Sequence, residues 1–369
     1  MRLGRLLGRQ GHDGFTETFA LLGGALSAIR LPFSSFPKVV EGESVMRITL
    51  GLDSPDQTNM GGDKPVVTLF DDNGDFAAQN RYCKEWPQGE ARYFVLPYYF
   101  AGPHHPTYAL IGARNDAICI AQMQITSADG ARYSWIGDFG QLCGGHWYFS
   151  NQDIPGYPDD EGKASCMWID KNNDFPETGF QVHWPDFSAE GEGRGVPDTL
   201  KDRIAKKDQL CHAPSFFIHY YPHILPQEIY VLDPDTGVLT VRYKDIEDPE
   251  ASVLPRSLNH STPASRRTNT AGKITTRHSN SIVMADHHAH KASELCGSPM
   301  SAGPSLVSHT EKLFCRMTDK TLWPLCDATT NDNCFNQDLM QVIAGGLTTR
   351  DSPYQHFIDW RSYSTQPFP

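Results

Sequence analysis

Trp135, Asp138, His146, Trp147, Tyr148, Trp168, His183 and Trp184 crowd into fifty residues of chain, and they are the side chains here best suited to chemistry. Indole and phenol rings offer broad apolar faces with one polar handle, so such a group could wall a cavity for an apolar organic ligand. An imidazole titrates near neutrality and a buried carboxylate can be tuned to do so, which makes His146 and Asp138 the candidate catalytic residues. Trp135, Trp147, Tyr148, Trp168, His183 and Trp184 are the candidate substrate-binding residues. A β core also collects Trp and Tyr, and an Asp also ends a strand, so each has a structural explanation beside the functional one.

Other clusters have plainer readings. Residues 71–76 (DDNGDF) and 170–175 (DKNNDF) alternate oxygen-bearing side chains like the first half of a calcium loop. Neither has the glycine at the sixth position or the glutamate at the twelfth that an EF-hand loop requires, and Asx turns produce the same letters. His287, His288 and His290, followed by Cys296, complete no zinc-ligand spacing, and His104-His105 before Pro106 is equally unspecific. The turn Arg114-Asn115-Asp116 reads as structural. No metal or cofactor is expected. The chain has no Gly-x-Ser-x-Gly elbow and no nucleotide-binding loop; paired carboxylates for glycoside chemistry stay open, since such partners can lie far apart in sequence.

The elements that must position these residues are strands. Cys119, Ala121, Met123 and Ile125 share one face of a two-residue period, with Gln122 and Gln124 on the other, as in a half-buried strand. Asp129-Gly130 then offers a two-residue hairpin connection into 132–136. Strand-like segments recur at 45–52, 65–71, 92–100, 107–113, 117–126 and 132–136, with more at 178–183 and 216–220 and a hairpin over 228–243 about Asp235-Thr236-Gly237. The fold expected is mainly β, an antiparallel sandwich or barrel with a small disulfide-stapled helical C-terminal segment. Four parts are expected: a leader or extension over 1–44, the β domain with the candidate pocket over 45–244, a mobile polar loop over 245–284, and a Cys-rich helical segment over 285–369. Pro304 in a first turn, with Leu306, Val307, Leu313, Phe314 and Met317 as an apolar stripe, predicts a helix over 304–317.

Composition bounds the function. With 39% hydrophobic residues over 369 positions, the chain can bury a large core, and 31 Gly with 26 Pro favour many turns. A formal charge of −12 opposes a phosphate-binding surface, so nucleic acid is not an expected partner. No apolar run is long enough to span a bilayer, and no oligomeric state can be read. Nine cysteines without a CxxC pair suit disulfides in an oxidising compartment, with at least one left over. Asn259-His260-Ser261 is a glycosylation sequon that fits a secreted surface loop. Arg2, Arg5 and Arg9 ahead of the apolar run 19–29 make a poor signal peptide, because Asp13 and Glu17 intervene. The expected location is the secretory pathway or outside the cell.

The runs NDAICIAQMQITSADGARYSWIGDFGQLCGGHWYFSN, CMWIDKNNDFPETGFQVHWPDF and GPSLVSHTEKLFCRMTDKTLWPLC together resemble a family of fungal, often secreted proteins, over about residues 65–334. Members of this kind resemble the hetero-Diels-Alderases of tropolonic sesquiterpenoid biosynthesis. The resemblance implies a cofactor-independent [4+2] cycloaddition between a tropolone quinone methide and a humulene-type alkene, both apolar small molecules. His146 or Asp138 would then assist loss of water from a hydroxymethyl precursor and hydrogen-bond the tropolone oxygen. The competing reading is a noncatalytic secreted β-sandwich that binds glycan, lipid or protein.

Overall fold

The computed structural model describes residues 33–38, 42–52, 61–80, 85–86, 91–99, 105–153, 162–172, 174–187, 200–220, 229–232, 239–242, 278–347 and 354–361. Its strands are β1 (Glu43–Leu50), β2 (Gly62–Asp63), β3 (Val66–Asp71), β4 (Phe76–Asn80), β5 (Glu85–Trp86), β6 (Arg92–Pro97), β7 (Pro106–Gly112), β8 (Ile118–Thr126), β9 (Arg132–Ile136), β10 (Trp147–Asp153), β11 (Lys163–Ile169), β12 (Gly179–His183), β13 (Phe216–His219), β14 (Ile229–Leu232), β15 (Leu239–Arg242), β16 (Ser281–Ala285), β17 (Ser305–Ser308), β18 (Leu313–Arg316), β19 (Thr321–Pro324), β20 (Cys334–Asn336), β21 (Gln341–Ile343) and β22 (His356–Asp359). The described α-helices are α1 (Asp138–Leu142), α2 (Leu200–Leu210) and α3 (Ala292–Gly297).

Two antiparallel sheets form the expected sandwich. The central sheet runs β10-β11-β8-β1-β6 with β9 also on β8, and the second runs β13-β12-β7-β3-β4. Met46, Ile48, Val67, Leu69, Ile111, Ile120, Met123, Phe180 and Val182 from both sheets meet in one core. The outer face of the central sheet is covered as well. A C-terminal sheet, β19-β18-β17-β16-β22, lies over it, and Leu306, Val283, Cys315 and Ile358 pack there against Cys119, Ala121, Tyr148 and Trp168. On the far face of the C-terminal sheet, Ile282, Val307 and Phe314 pack with Phe335, from the β20–β21 hairpin. The sheets therefore stack as successive layers separated by apolar cores.

This layering corrects several expectations. All nine residues of β8 are buried, so it is not half-buried. Its pairing with β1 slips by one residue between Thr49 and Leu50, because Thr49 faces Gln122 while Leu50 faces Ile120. The extra residue is a β-bulge, and it reverses the side-chain alternation. Ile118, Ile120, Met123 and Ile125 enter the sandwich core, whereas Cys119 and Ala121 enter the core beneath the C-terminal sheet. The β8–β9 hairpin forms, but its loop has three residues. Gly130 N donates to Ser127 O, Ser127 N donates to Ala131 O, and Gly130 has φ +87°, which is a type I turn completed by a left-handed glycine.

The helix expected over 304–317 is instead the hairpin β17–β18, with Leu306 opposite Cys315 and Val307 opposite Phe314. Leu306 and Met317 belong to one core, Val307 and Phe314 to the other. A strand buried on both faces loses its polar alternation, and the residual spacing imitates a helical stripe. The C-terminal helical element is the short α3, which Cys296–Cys315 staples to β18. The polar loop expected over 245–284 ends earlier, because β16 begins at Ser281 and buries Ile282 and Val283; residues 245–277 lie outside the described residues. Of the leader or extension expected over 1–44, residues 1–32 and 39–41 lie outside the described residues, and β1 begins within it at Glu43; His104 and the sequon at Asn259 also lie outside them. The strands of the hairpin expected over 228–243 pair as β14 and β15.

Eight cysteines pair as Cys119–Cys166, Cys143–Cys211, Cys296–Cys315 and Cys326–Cys334. The ninth, Cys83, lies outside the described residues. Four such bonds indicate an oxidising compartment. Among the described residues, no helix is long and apolar enough to cross a membrane. Non-reducing peptide mapping should return these four pairs. The double variant Cys143→Ser/Cys211→Ser opens a bond spanning 68 residues and should lose about 4 kcal/mol of unfolding free energy in urea titration; unchanged stability would show that this bond constrains nothing.

Candidate functional site

The eight sequence-selected residues do not converge on one cavity; they divide between two cores and the sheet ends. Trp135 and Trp184 belong to the sandwich core. Trp135 lies on β9 opposite Met123 and stacks on Phe180 and Phe216 with ring centroids 4.8 and 5.8 Å apart. Trp147, Tyr148 and Trp168 belong to the core beneath the C-terminal sheet. Their burial is a consequence of β10 and β11 being covered by that sheet. The two indoles there also bond across the layers, Trp168 Nε1 donating to Ala302 O at 2.7 Å and Trp147 Nε1 to Ser298 Oγ at 3.2 Å. These tryptophans fasten the C-terminal sheet to the central one rather than presenting faces to a ligand. Tyr148 is wholly buried, and burial pushes its phenol well above the ordinary range.

Asp138 has structural duty. It opens α1, it is buried, and its Oδ1 accepts the Ser165 backbone N–H at 2.7 Å. The chain enters α1 through Gly137, where an added Cβ would stand 2.2 Å from Ser165 O, so the helix lies directly on β11.

The two histidines are different, because a carboxylate orients each. His146 lies just before β10, and its Nδ1–H donates to both Glu177 oxygens, at 2.8 and 3.0 Å. Its backbone N–H donates to the same carboxylate at 3.2 Å. Glu177 is fully buried while His146 keeps 7% exposure, so the carboxylate fixes the tautomer with Nε2 as the ring's remaining nitrogen. His183, at the end of β12, donates from Nδ1 to Asp186 Oδ2 at 2.8 Å. Ser215 Oγ donates to that same oxygen at 2.6 Å, and Asp72 lies 3.9 Å from His183 Nε2. Burial pulls the His183 imidazole down, but its bond to Asp186 and the nearby Asp72 carboxylate outweigh it and hold it above its ordinary value. Glu177 and His183 are six residues apart along an extended segment, roughly 20 Å, so the histidines serve two separate places.

Sequence reasoning missed the partners Glu177, Ser215 and Asp72. Glu177 lies 31 residues from His146, and no local spacing connects them. Asp186, three residues after His183, was within reach of a local reading.

The remaining clusters are turns and packing. Asp71 Oδ1 accepts the N–H groups of Asn73 and Asp75, both at 2.9 Å, and Asp170 Oδ2 accepts those of Asp174 and Phe175 at 2.7 and 3.4 Å. Both are Asx-type turns; Asn173 lies outside the described residues. The Arg114-Asn115-Asp116 turn ties neighbours together, with Lys171 N donating to Arg114 O and Asp63 N to Asp116 O. His290 is buried against Trp360 and bonds Ser150 O at 2.9 Å, and burial pulls its imidazole down to about 3, so it is neutral. Among the described residues, no group of three His, Cys, Asp or Glu is arranged to hold a metal ion.

Trp135→Ala should cost about 3–5 kcal/mol in chemical denaturation as a core truncation, whereas a ligand-wall residue would leave stability nearly unchanged. Asp170 is buried with Oδ1 unpaired, and burial raises its carboxyl to about 6 despite its backbone bonds. A folded pKa above the unfolded value means that the stability from this group is complete below pH 3.8 and is lost as pH rises through about 6. Asp170→Asn should therefore gain on the parent between pH 5 and pH 8, by up to about 3 kcal/mol; a pH-independent difference would show that Asp170 ionises without penalty. No protein-family model matches this chain and no curated protein does, so the candidate site is defined by its own geometry.

Proposed function

We propose that this protein is a cofactor-independent pericyclase of the hetero-Diels-Alderase kind, joining a tropolone quinone methide to a humulene-type alkene, with His146 as its proton-handling residue. One observation carries the choice of residue: Glu177 holds Nδ1 of His146 from a fully buried position, while the histidine keeps slight exposure. Such a ring has a fixed tautomer and one nitrogen to exchange a proton. His146 gives a proton to the leaving hydroxyl of a hydroxymethyl tropolone, water departs, and the tropolone hydroxyl proton returns to the imidazole. The quinone methide so formed adds across the alkene, making one C–C and one C–O bond, with no net oxidation. Glu177 positions the ring throughout and stabilises the imidazolium that is restored when the tropolone proton returns. The oxidising compartment indicated by the disulfides supports a reaction in the secretory pathway or outside the cell.

A second reading, a noncatalytic β-sandwich that binds glycan, lipid or protein, is favoured by a different observation. Trp135, Trp147, Trp168 and Trp184 are all 1% exposed or less, so the aromatic content builds cores. The test is to supply purified protein with the hydroxymethyl tropolone and the alkene and to resolve adduct stereoisomers against a boiled control. Faster formation of one stereoisomer is expected, with His146→Gln reducing the rate about 10²-fold at an unchanged melting temperature and Glu177→Gln altering the pH–rate profile. A racemic background rate from the parent protein would overturn the pericyclase reading in favour of the noncatalytic one or of an enzyme with another substrate, and full activity in His146→Gln would remove His146 from the mechanism.

A further inference from the structure

The face of the C-terminal sheet turned away from the central sheet carries a cleft of about 440 Å³, within the roughly 300–1,000 Å³ range of small-molecule sites. Phe314 and Phe335 form its floor, fully buried and stacked with ring centroids 3.8 Å apart, and Tyr354 meets Phe314 edge-on at 6.2 Å. Trp323 and Met340 add an aromatic and an adaptable thioether wall. The β20–β21 hairpin that supplies Phe335, Gln341 and Val342 closes one side, and Cys326–Cys334 anchors it. This cleft lies across a whole sheet from β10 and from His146.

Its polar groups define what it can hold. Arg316 is the charged side chain in the lining, and it is already committed: Nε and Nη2 donate to the two Asp319 oxygens at 2.9 and 2.6 Å, and the guanidinium lies 5.7 Å from the Trp323 ring centroid. Tyr354 donates its hydroxyl to Ser305 Oγ at 3.1 Å. With the cation neutralised and the phenol bonded inward, an anion entering the cleft would lose hydration without gaining an unpaired positive partner. Phe314 and Phe335 are stacked on each other beneath the surface, so the ring face open to a guest is that of the partly exposed Trp323; with Met340 and Val342 beside it, it favours a flat guest, and the Gln341 amide can orient one polar group on it.

We propose that this cleft is a binding site for a neutral, flat aromatic small molecule. N-phenyl-1-naphthylamine and its sulfonated analogue 8-anilinonaphthalene-1-sulfonate share a skeleton and differ in charge, so fluorescence titration of the full chain with both probes reads ligand class directly. Saturable one-site binding of the neutral probe, at least tenfold tighter than the sulfonate, is expected. Ala344→Trp fills the mouth from an exposed position and should weaken it at least tenfold. Leu347→Glu, at a rim position 75% exposed, should weaken it through charge without disturbing the fold, while Tyr93→Ser, 58% exposed on β6, should leave it unchanged. Absence of saturable binding, tighter binding of the sulfonate, or retention of affinity in both Ala344→Trp and Leu347→Glu would overturn the proposal.

Discussion

Burial of the central sheet on both faces is the constraint on which the rest of the structure depends. In β8 all nine residues are buried, so every backbone polar group needs a partner within the protein. One edge of β8 is satisfied by β1; the other is divided between β11, at Ile118–Ile120, and β9, at Gln122–Thr126. The bulge opposite Thr49 and Leu50 redirects side chains so that each half of the strand supplies the core that needs it. Close packing follows from the same constraint. An added Cβ at Gly51 would stand 2.4 Å from Cys166 Cβ, and one at Gly140 2.5 Å from Met167, so small residues are required where the layers meet.

The C-terminal sheet closes the outer core and is held by specific bonds as well as by apolar area. The backbone of Trp147 exchanges bonds with Met300 and Ala302, donating to the first at 3.1 Å and accepting from the second at 2.8 Å. Lys320 reaches back to the carbonyls of Ser298 and Ser301 just beyond α3, where a cation suits the carbonyl-rich helix end. Its desolvation pulls the ammonium down to about 8. Buried polar groups here are mostly tethers between layers, and that explains why aromatic and charged residues selected for their chemistry proved to be structural.

Against this background the oriented histidines are exceptions to the rule that polar groups act as layer tethers. Glu177 is buried, and among the described residues its oxygens accept from the ring and backbone of His146. The arrangement sits where α1 and the Gly144-Gly145 turn lead into β10, at a junction rather than in mid-strand. The aromatic cleft arises for a related reason: among the described residues, the short β20–β21 hairpin covers the far face of the C-terminal sheet, burying Phe314 and Phe335 beneath a rim that keeps partial exposure.

By itself the sequence determined the mainly β class, most strand positions in the sandwich, the β8–β9 hairpin, the disulfide-rich character and the Asx turns, because these follow from local alternation, turn residues and composition. Only the tertiary structure decided which face each side chain takes. The bulge in β8 is set by pairing with β1, and the hairpin β17–β18 is recognisable only when both its faces are known to be covered. The same holds for the site. His146 was visible as a residue type, but its partner Glu177 arrives from another strand connection, and Trp135 and Trp147 were neighbours in sequence that the sheet sends to opposite cores. Local physics assigns an element its periodicity; which surface that periodicity faces depends on contacts made far along the chain.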